Sequence, residues 1–329
     1  MQTFTFSKAS SVEKIVADTS AKRFIAGGTT LVDLMKLRVE RPTALVDINL
    51  LPLDKVEVLP DGGLRIGALV RNSDLAWNAD VKERYAVLSQ AILSGASPQL
   101  RNMATTGGNL LQRTRCAYFR EPSAGEAGSY GCNKRVPGTG CAALEGFHRT
   151  HAILGTSDHC IATHPSDMCV AMAALEAVVH VEGAQGKRAI AFTDFHKLPD
   201  DTPHIENALA LGELITHVDL PKPVDGARSV YLKLRDRASY EFALASAAVV
   251  VKVEGGRIAH VRVAFGGVGT KPWRSHEAES VLAGQTPDAA IFRAAAKAAL
   301  AQAKPRTDNA FKVELAKRCL IRALTQATA

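Results

Sequence analysis

The chain has 329 residues, a length that allows two or three domains. Of these residues 47% are hydrophobic and 22% are charged, a composition that is typical of soluble globular proteins and excludes a disordered chain. The net charge of +7 is dispersed except for a local basic excess around a cysteine-containing segment, which argues against nucleic-acid binding. No apolar run approaches the roughly 20 residues of a membrane span, and the N-terminus lacks the basic-then-apolar layout of a signal peptide. By its own sequence the chain is expected to stay in the cytoplasm.

The N-terminal segment predicts strands and helices around a glycine turn. Alternation and apolar spacing indicate strands at 3–6, 23–26 and 44–47, and helices at 11–18 and 31–37. The second strand runs into Gly27-Gly28-Thr29-Thr30 just before a helix, an arrangement that points free backbone N–H groups and a helix dipole at an anion. Because it is not the G-x-G-x-x-G of a dinucleotide fold, a plain turn remains an alternative.

The next segment predicts a hairpin, helices and a second glycine loop. The hairpin joins 56–59 to 64–66, and apolar spacing favours helices across 72–93. The loop at 104–110 follows, where Gly107 and Gly108 allow close backbone approach to a ligand, and Thr105, Thr106 and Asn109 supply neutral hydrogen-bonding groups.

The remainder predicts an α+β arrangement. A helix-to-strand run at 169–179, a hairpin of 178–181 with 189–191 and a strand at 214–220 precede the proline-containing stretch 221–226, which is the best candidate for a domain boundary. Antiparallel strands are then expected at 229–233, 245–253 and 258–265, with helices at 275–282, 288–302 and 309–325.

The segment from 113 to 163 has no sustained apolar periodicity and contains four cysteines, Cys116, Cys132, Cys141 and Cys160. Structureless connections of this length are uncommon in compact domains unless they are functional or disordered. The spacing C-x15-C-x8-C-x18-C lacks a tight C-x2-C pair, so it does not distinguish an iron–sulfur cluster from zinc. Four thiolates suit a [4Fe–4S] cluster, whose negative charge nearby arginines and lysines would offset. Four histidines in the segment keep zinc open, and free or disulfide cysteines are the third alternative.

Other polar residues have simpler interpretations. Asp167 precedes an apolar helix and would by default be its N-cap, Lys233 would be a solvated or paired residue on a strand, and Cys169 and Cys319 would be small buried hydrophobic residues. The sequence contains no nucleophile elbow, H-E-x-x-H motif or P-loop. Nothing in it indicates a hydrolase.

Several separated motifs match one family: AGGTTL from Ala26, RNMATTGGNL from Arg101, THPSD from Thr163, ELI from Glu213, YLKLRDRASYEFALAS from Tyr231 and AFGGVGTKPWR from Ala264. In combination the chain resembles the FAD-binding medium subunits of molybdenum hydroxylases, the xanthine dehydrogenase and carbon monoxide dehydrogenase group. The cysteine insertion, with LLQRTRC, CNKR, PGTGCAALEGF and HCIATHPSDM, resembles that of the periplasmic aldehyde oxidoreductases of enterobacteria. In those subunits the insertion holds a [4Fe–4S] cluster.

The resemblance implies an α+β fold, in which a two-part FAD-binding domain of the vanillyl-alcohol-oxidase (PCMH) type is followed by a smaller domain of antiparallel sheet plus helices. The implied boundaries are 1–222 for the FAD-binding domain, with subdomains 1–55 and 56–222 and the insertion at about 113–163, and 223–329 for the domain similar to the C-terminal part of carbon monoxide dehydrogenase flavoproteins.

The resemblance also implies which residues bind cofactors. The first glycine loop would wrap the FAD pyrophosphate, the second would contact the diphosphate and the flavin side, Asp167 would bind the adenosine part, Ile215 would pack near the isoalloxazine, and Lys233 would lie beside the flavin ring. The implied cofactor-binding residues are Ala26, Gly27, Gly28, Thr29, Thr30, Leu31, Arg101, Thr105, Gly107, Gly108, Asn109, Leu110, Asp167, Ile215 and Lys233. The implied cluster ligands are Cys116, Cys132, Cys141 and Cys160.

By the same resemblance, the chain would be the electron-transfer subunit of a three-subunit aldehyde oxidoreductase and would have no catalytic side chain of its own. Aldehydes would be oxidised to carboxylates at the molybdenum cofactor of a large subunit, and [2Fe–2S] centres of a small subunit would relay electrons to FAD and an external acceptor. The resemblance implies a periplasmic location by co-export with a signal-bearing partner, with the cytoplasm second. Two alternatives are a flavin subunit similar to that of 4-hydroxybenzoyl-CoA reductase, and a flavoprotein whose cysteine loop binds structural zinc.

Overall fold

The computed structural model describes residues 1–18, 20, 22–121 and 130–329. Residues 122–129 of the expected insertion therefore lie outside the described part. The strands are β1 (Thr5–Lys8), β2 (Arg23–Ile25), β3 (Ala44–Asp47), β4 (Val56–Val58), β5 (Leu64–Gly67), β6 (Val178–Gly183), β7 (Gly186–Ala191), β8 (Leu214–Leu220), β9 (Arg228–Leu234), β10 (Ala245–Glu254), β11 (Arg257–Gly266) and β12 (Trp273–Arg274).

Most of the described helices lie either between β5 and β6 or after β12. They are α1 (Val12–Ala17), α2 (Leu31–Lys36), α3 (Asn72–Trp77), α4 (Ala79–Arg84), α5 (Ala86–Ser94), α6 (Pro98–Met103), α7 (Thr106–Leu110), α8 (Ala117–Arg120), α9 (Asp167–Ala174), α10 (Phe192–Phe195), α11 (His276–Leu282), α12 (Ala289–Ala299) and α13 (Phe311–Thr328), with a 3-10 turn at Thr307–Asn309.

The first layer is a small parallel sheet that carries the first glycine loop. Its order is β1-β3-β2, with Phe6 opposite Leu45 and Phe24 opposite Val46. Ser11 caps α1 by accepting a hydrogen bond from the backbone N–H of Lys14. Strand β2 ends immediately before the glycine turn, so the turn lies at the carboxyl end of this sheet, the edge where ligands bind in open α/β units.

The second layer is an antiparallel sheet of order β4-β5-β8-β6-β7. Residues of β6 alternate between half-buried and buried, as expected for a strand with one face on the core. Helices α3, α5 and α9 cover this core, in which Leu75, Leu88 and Met172 are almost fully buried. The helices thereby fix the second glycine loop, which follows α6.

The third layer is the sheet β12-β11-β10-β9, against which α11, α12 and α13 pack. Its central strand β10 is buried for its first five residues, as an apolar run between two covering layers predicts. Cys319 in α13 and Cys169 in α9 have 0% exposure, which confirms that both are buried hydrophobic positions.

The predicted α+β class and the order of the elements are confirmed, and β3 and β8 have the predicted bounds. The default interpretation of Asp167 was wrong. Ser166 is the N-cap of α9, because its hydroxyl accepts from the N–H of Cys169, and Asp167 is the first helical residue. No helix in the described ranges is long and apolar enough to cross a membrane.

Candidate functional site

A cavity of about 240 Å³ lies where the two glycine loops meet, and we call it the interloop cavity. Thr29 and Thr30 line it from the first loop, and Gly108 and Asn109 from the second. Three further residues with an expected cofactor role also line it, namely Arg101, Asp167 and Lys233. The structure therefore brings seven of the expected residues to one cavity.

Direct contact holds the two loops together. A Cβ added to Gly27 would lie 1.9 Å from the carbonyl oxygen of Met103, so only glycine allows this approach. Arg71 donates to the same Met103 oxygen at 2.5 Å and to Asn49 Oδ1 at 2.9 Å, and Asn49 Nδ2 donates to the carbonyl of Ala26 at 3.1 Å. Asn49 and Arg71 thus tie the first loop to the second, and the sequence analysis missed both.

The other expected cofactor-binding residues do not line the interloop cavity. They are Ala26, Gly27, Gly28, Leu31, Thr105, Gly107, Leu110 and Ile215. Thr105 caps α7 by accepting from the N–H of Gly108 at 3.2 Å, and Gly107 packs against Ala68. Ile215 is 3% exposed in the core of the second layer. These residues shape the loops and the core beneath them, and their role toward the cofactor stays a prediction.

Asp167 and Lys233 form a buried ion pair on the cavity wall. Lys233 Nζ lies 2.8 Å from Asp167 Oδ2, with side chains 3% and 8% exposed. The hydroxyl of Tyr231 donates to Asp167 Oδ1 at 2.5 Å. Burial, followed by the charge of Asp167, raises the pKa of Tyr231 well above its ordinary value, so this hydroxyl remains a donor. Both carboxylate oxygens therefore accept hydrogen bonds from the chain itself, which fixes this wall.

The sequence analysis missed part of the lining because it comes from irregular backbone. Arg115 lines the cavity together with Arg237, Tyr240 and Phe242 from the loop after β9. The guanidinium of Arg115 lies 5.0 Å from the ring centroid of Phe242, within cation–π range. The cavity is lined by four basic and two acidic side chains: Arg101, Arg115, Lys233, Arg237, Asp167 and Glu241. This excess of positive charge suits an anionic ligand.

A second cavity of about 10 Å³ is lined by all four cysteines of the insertion, and we call it the cysteine cavity. Cys132 and Cys141 pair across a short antiparallel bridge. Burial raises the pKa of Cys116 to about 12 and that of Cys160 to about 11. A metal that took these thiols would have to displace their protons.

The spacing of the four sulfur atoms bears on which metal they could hold. Zn–S bonds of about 2.3 Å at tetrahedral angles place four sulfurs about 3.8 Å apart. In the described part of the chain, two groups of three or more potential metal ligands have their ligating atoms within 4.8 Å of one another, and neither group contains any of these cysteines. A cluster requires wider spacing, because each cysteine binds a different iron.

Residues 2–223 match the domain family described as "FAD binding domain in molybdopterin dehydrogenase", and residues 230–327 match the family described as "CO dehydrogenase flavoprotein C-terminal domain". The chain belongs to the FAD-binding subunits of the molybdenum hydroxylases. It is 52% identical over its whole length to the aldehyde oxidoreductase FAD-binding subunit PaoB of Escherichia coli strain K12, covering 99% of that protein. It is 28% identical to the glyceraldehyde dehydrogenase medium chain of Sulfolobus acidocaldarius, over 93% of this chain and 90% of that one.

The fold comparison agrees. A chain of carbon monoxide dehydrogenase from Hydrogenophaga pseudoflava, in the form that lacks the Mo-pyranopterin moiety, superposes with a TM-score of 0.77 at 26% identity, over 99% of this chain and 98% of that one. The flavoprotein subunit therefore has the two-domain architecture of that medium chain, which confirms the predicted fold.

The interloop cavity of this flavoprotein subunit fits FAD by its own chemistry. The first glycine loop brings its backbone to the cavity at Thr29 and Thr30, the lining carries a positive excess, and Tyr240 and Phe242 offer aromatic surface beside apolar Ile92 and Leu100. The N–H groups of residues 106–109 in the second loop all donate within the chain. A dinucleotide needs these three kinds of surface for its diphosphate and its two ring systems.

Four basic residues of the insertion have carboxylate partners elsewhere in the chain. Arg113 pairs with Glu40 at 2.7 Å and Glu206 at 2.6 Å, and Lys134 pairs with Glu206 at 2.6 Å. Burial acts to raise the pKa of Glu206, but Lys134 and Arg113 lower it below its ordinary value. Arg115 and Arg120 share Asp33. These pairs fasten the insertion to the rest of the subunit.

The two cavities are neighbours. Arg115 lines the interloop cavity and the adjacent Cys116 lines the cysteine cavity. A third cavity of about 70 Å³ is lined by both Cys116 and Asp167. The insertion therefore holds its four thiols directly beside the interloop cavity.

Proposed function

We propose that the chain is the FAD- and [4Fe–4S]-carrying electron-transfer subunit of a molybdenum-dependent aldehyde oxidoreductase. Electrons from aldehyde oxidation in a molybdenum subunit would pass through the [2Fe–2S] centres of a small subunit to this chain and on to an external acceptor. The observation that carries the proposal is the position of the cysteine cavity against the interloop cavity, with Arg115 and Cys116 facing one each.

FAD supplies the exchange between two-electron and one-electron chemistry when it is bound. The residues of this chain bind and orient it. Backbone N–H groups of the first glycine loop would hold the diphosphate, with Arg101 as a cation of the same cavity, and the buried Asp167–Lys233 pair keeps its part of the cavity wall in place. We assign no proton transfer on the aldehyde to any side chain of this chain.

One observation supports the cluster. All four cysteines of the insertion line one cavity, and four cysteines are the complete ligand set of a [4Fe–4S] cluster. Four cysteines can equally bind one zinc ion, so the metal content of the purified protein decides between the two. Cys116, Cys132, Cys141 and Cys160 would each hold one iron.

The aldehyde as substrate class rests on relatives. The FAD-binding subunit from Escherichia coli is named for an aldehyde oxidoreductase, and the medium chain from Sulfolobus acidocaldarius for a glyceraldehyde dehydrogenase. The periplasmic location by co-export stays a prediction, and separating the periplasmic from the cytoplasmic fraction of the native cell tests it.

The test uses the complex that co-purifies with the tagged full chain. Under anaerobic conditions, addition of an aromatic or aliphatic aldehyde should bleach the visible absorbance of the oxidised flavin. A complex in which only an acyl-CoA reoxidises the reduced flavin would contradict the proposal and favour a reductase instead.

A further inference from the structure

One histidine of the insertion contacts a sulfur of the cysteine cavity. His151 is 4% exposed, and its Nε2 lies 3.1 Å from Cys116 Sγ. A bound thiolate can only accept at this position, so the proton of the contact belongs on Nε2. Hydrogen bonds to the sulfurs of an iron–sulfur cluster change its reduction potential, because they stabilise the negative charge that increases on reduction.

The peptide of His151 is held from the C-terminal domain. Lys312 in α13 is 0% exposed, and its ammonium donates to three backbone carbonyls, those of Thr150 at 3.1 Å, His151 at 2.9 Å and Gly267 at 2.5 Å. Asn309 Nδ2 also donates to the His151 carbonyl at 3.4 Å. Three acceptors around one nitrogen match the three N–H donors of an ammonium group.

A second contact fixes the residues just before His151. The backbone N–H of His148 donates to Asp308 Oδ2 at 3.2 Å, and the N–H of Asp308 donates to His148 Nε2 at 3.2 Å. The backbone N–H of His151 in turn donates to the carbonyl of His148 at 3.0 Å. Three residues, Asp308, Asn309 and Lys312, therefore hold the segment 148–151 by hydrogen bonds.

Lys312 also differs from the other basic residues near the insertion. Arg113, Lys134, Arg115 and Arg120 all have carboxylate partners within 4.0 Å. Among the residues that the structure describes, no carboxylate forms such a pair with Lys312. Its positive charge is satisfied by carbonyl dipoles alone, and it is buried beside the backbone of the histidine that contacts Cys116.

We propose that His151 donates an N–H···S hydrogen bond to the cluster ligand Cys116 and thereby raises the reduction potential of the cluster, and that Lys312 is the positioning residue that holds His151 there. This inference rests on the [4Fe–4S] cluster of the proposed function. Through Lys312, the C-terminal domain would therefore help to set the reduction potential of the cluster in the insertion.

The simpler alternative is that His151 only fills space. Its ring centroid lies 6.3 Å from that of Tyr118, and a phenyl ring has a similar shape without a hydrogen-bond donor. A purely structural role predicts that the potential depends on the ring shape and not on the N–H group. Replacing His151 by phenylalanine therefore distinguishes the two interpretations, because the ring shape is kept and the N–H donor is lost.

The test compares the midpoint potential of the cluster in full-length His151→Phe, His151→Gln and Lys312→Met with the native protein, by anaerobic redox titration followed by electron paramagnetic resonance. His151→Phe removes the donor and should shift the potential to a more negative value, while His151→Gln keeps an N–H group and should restore part of the shift. Lys312→Met should shift the potential in the same negative direction. His204→Phe is the matched control, because His204 is exposed, lines neither the cysteine cavity nor the interloop cavity, and should leave the potential unchanged.

A native potential in iron-replete His151→Phe overturns the proposal. If that variant does not retain iron, Lys312→Met decides, and an unchanged potential there is the contradicting result. A native protein that contains no iron contradicts the cluster itself, an outcome distinct from a cluster whose potential does not respond. The flavin potential in the same samples should not move, because neither His151 nor Lys312 lines the interloop cavity.

Discussion

Replacing Gly27 by alanine tests the contact on which the interloop cavity depends. The new Cβ would lie 1.9 Å from the carbonyl oxygen of Met103 and 2.7 Å from its carbonyl carbon. Real Cβ atoms essentially never come within 3.0 Å, so one loop must move away from the other by about 1.1 Å. Both atoms belong to the backbone, which cannot rotate aside as a side chain can. Thr29 and Thr30 would therefore separate from Arg101 and Ala104 across the cavity.

The size of the effect follows from the cost of overpacking. Inserting a methyl group into a packed site costs about 1–3 kcal/mol. The free variant relieves this strain by opening the loops. FAD binding must bring the loops back into contact, so the strain energy is subtracted from the binding free energy. We therefore expect FAD to bind about 5- to 150-fold more weakly, because binding sites tolerate errors of only about 0.5 Å in position.

The assay is a fluorescence titration of FAD into deflavinated full-length protein, together with flavin content after gel filtration. The control is Gly212→Ala, at φ 83° with no atom within 4 Å of the added Cβ. That variant carries left-handed strain of roughly 1–2 kcal/mol without touching the loops. It should lose thermal stability and keep native FAD affinity. Native affinity in Gly27→Ala would refute the loop-contact argument.

Three further predictions concern the ion pairs and buried histidines. Lys233→Met leaves the buried carboxylate of Asp167 without its cation and should lower the free energy of unfolding by about 3–5 kcal/mol in a urea titration; a change under 1 kcal/mol would contradict the pair's importance. Glu206→Gln removes the shared partner of Arg113 and Lys134, so limited proteolysis should cut the insertion faster, whereas Glu57→Gln on β4 should not change the rate. Burial lowers the pKa of His196 from 6.5 to about 4; the unfolded chain therefore takes up a proton below pH 6.5 that the folded chain refuses until about pH 4, and stability should fall across that window by up to about 3 kcal/mol, less steeply in His196→Gln.

Local signals in the sequence predicted the scaffold well. The helix at 11–18, the hairpin strand at 178–181 and the strand at 214–220 were each predicted from neighbouring residues, and the structure has a helix or strand at each place. The glycine loops could also be located, since Gly27-Gly28 and Gly107-Gly108 stand between periodic segments. Their mutual contact could not, because Asn49 and Arg71, which join them, are polar residues far from both loops in the chain.

The chemistry around the cysteines was less predictable. Their sequence spacing left zinc and a cluster open, because it contains no tight C-x2-C pair. Lys312 lies in a helix whose pattern gives no sign of a buried ammonium, yet it is fully buried on three carbonyls. Arg113 and Lys134 have the partners Glu40 and Glu206, which come from distant parts of the chain. Long-range pairing of this kind is a property of the tertiary fold.

The most direct test of the central claim is the iron, acid-labile sulfide and flavin content of the anaerobically purified full chain, native against Cys132→Ser, with Cys319→Ser as a buried cysteine outside the cysteine cavity. The account predicts about four irons and one FAD per native chain, with iron lost and FAD kept in Cys132→Ser and both kept in Cys319→Ser. Stoichiometric zinc in place of iron, or iron that survives in Cys132→Ser, would contradict it.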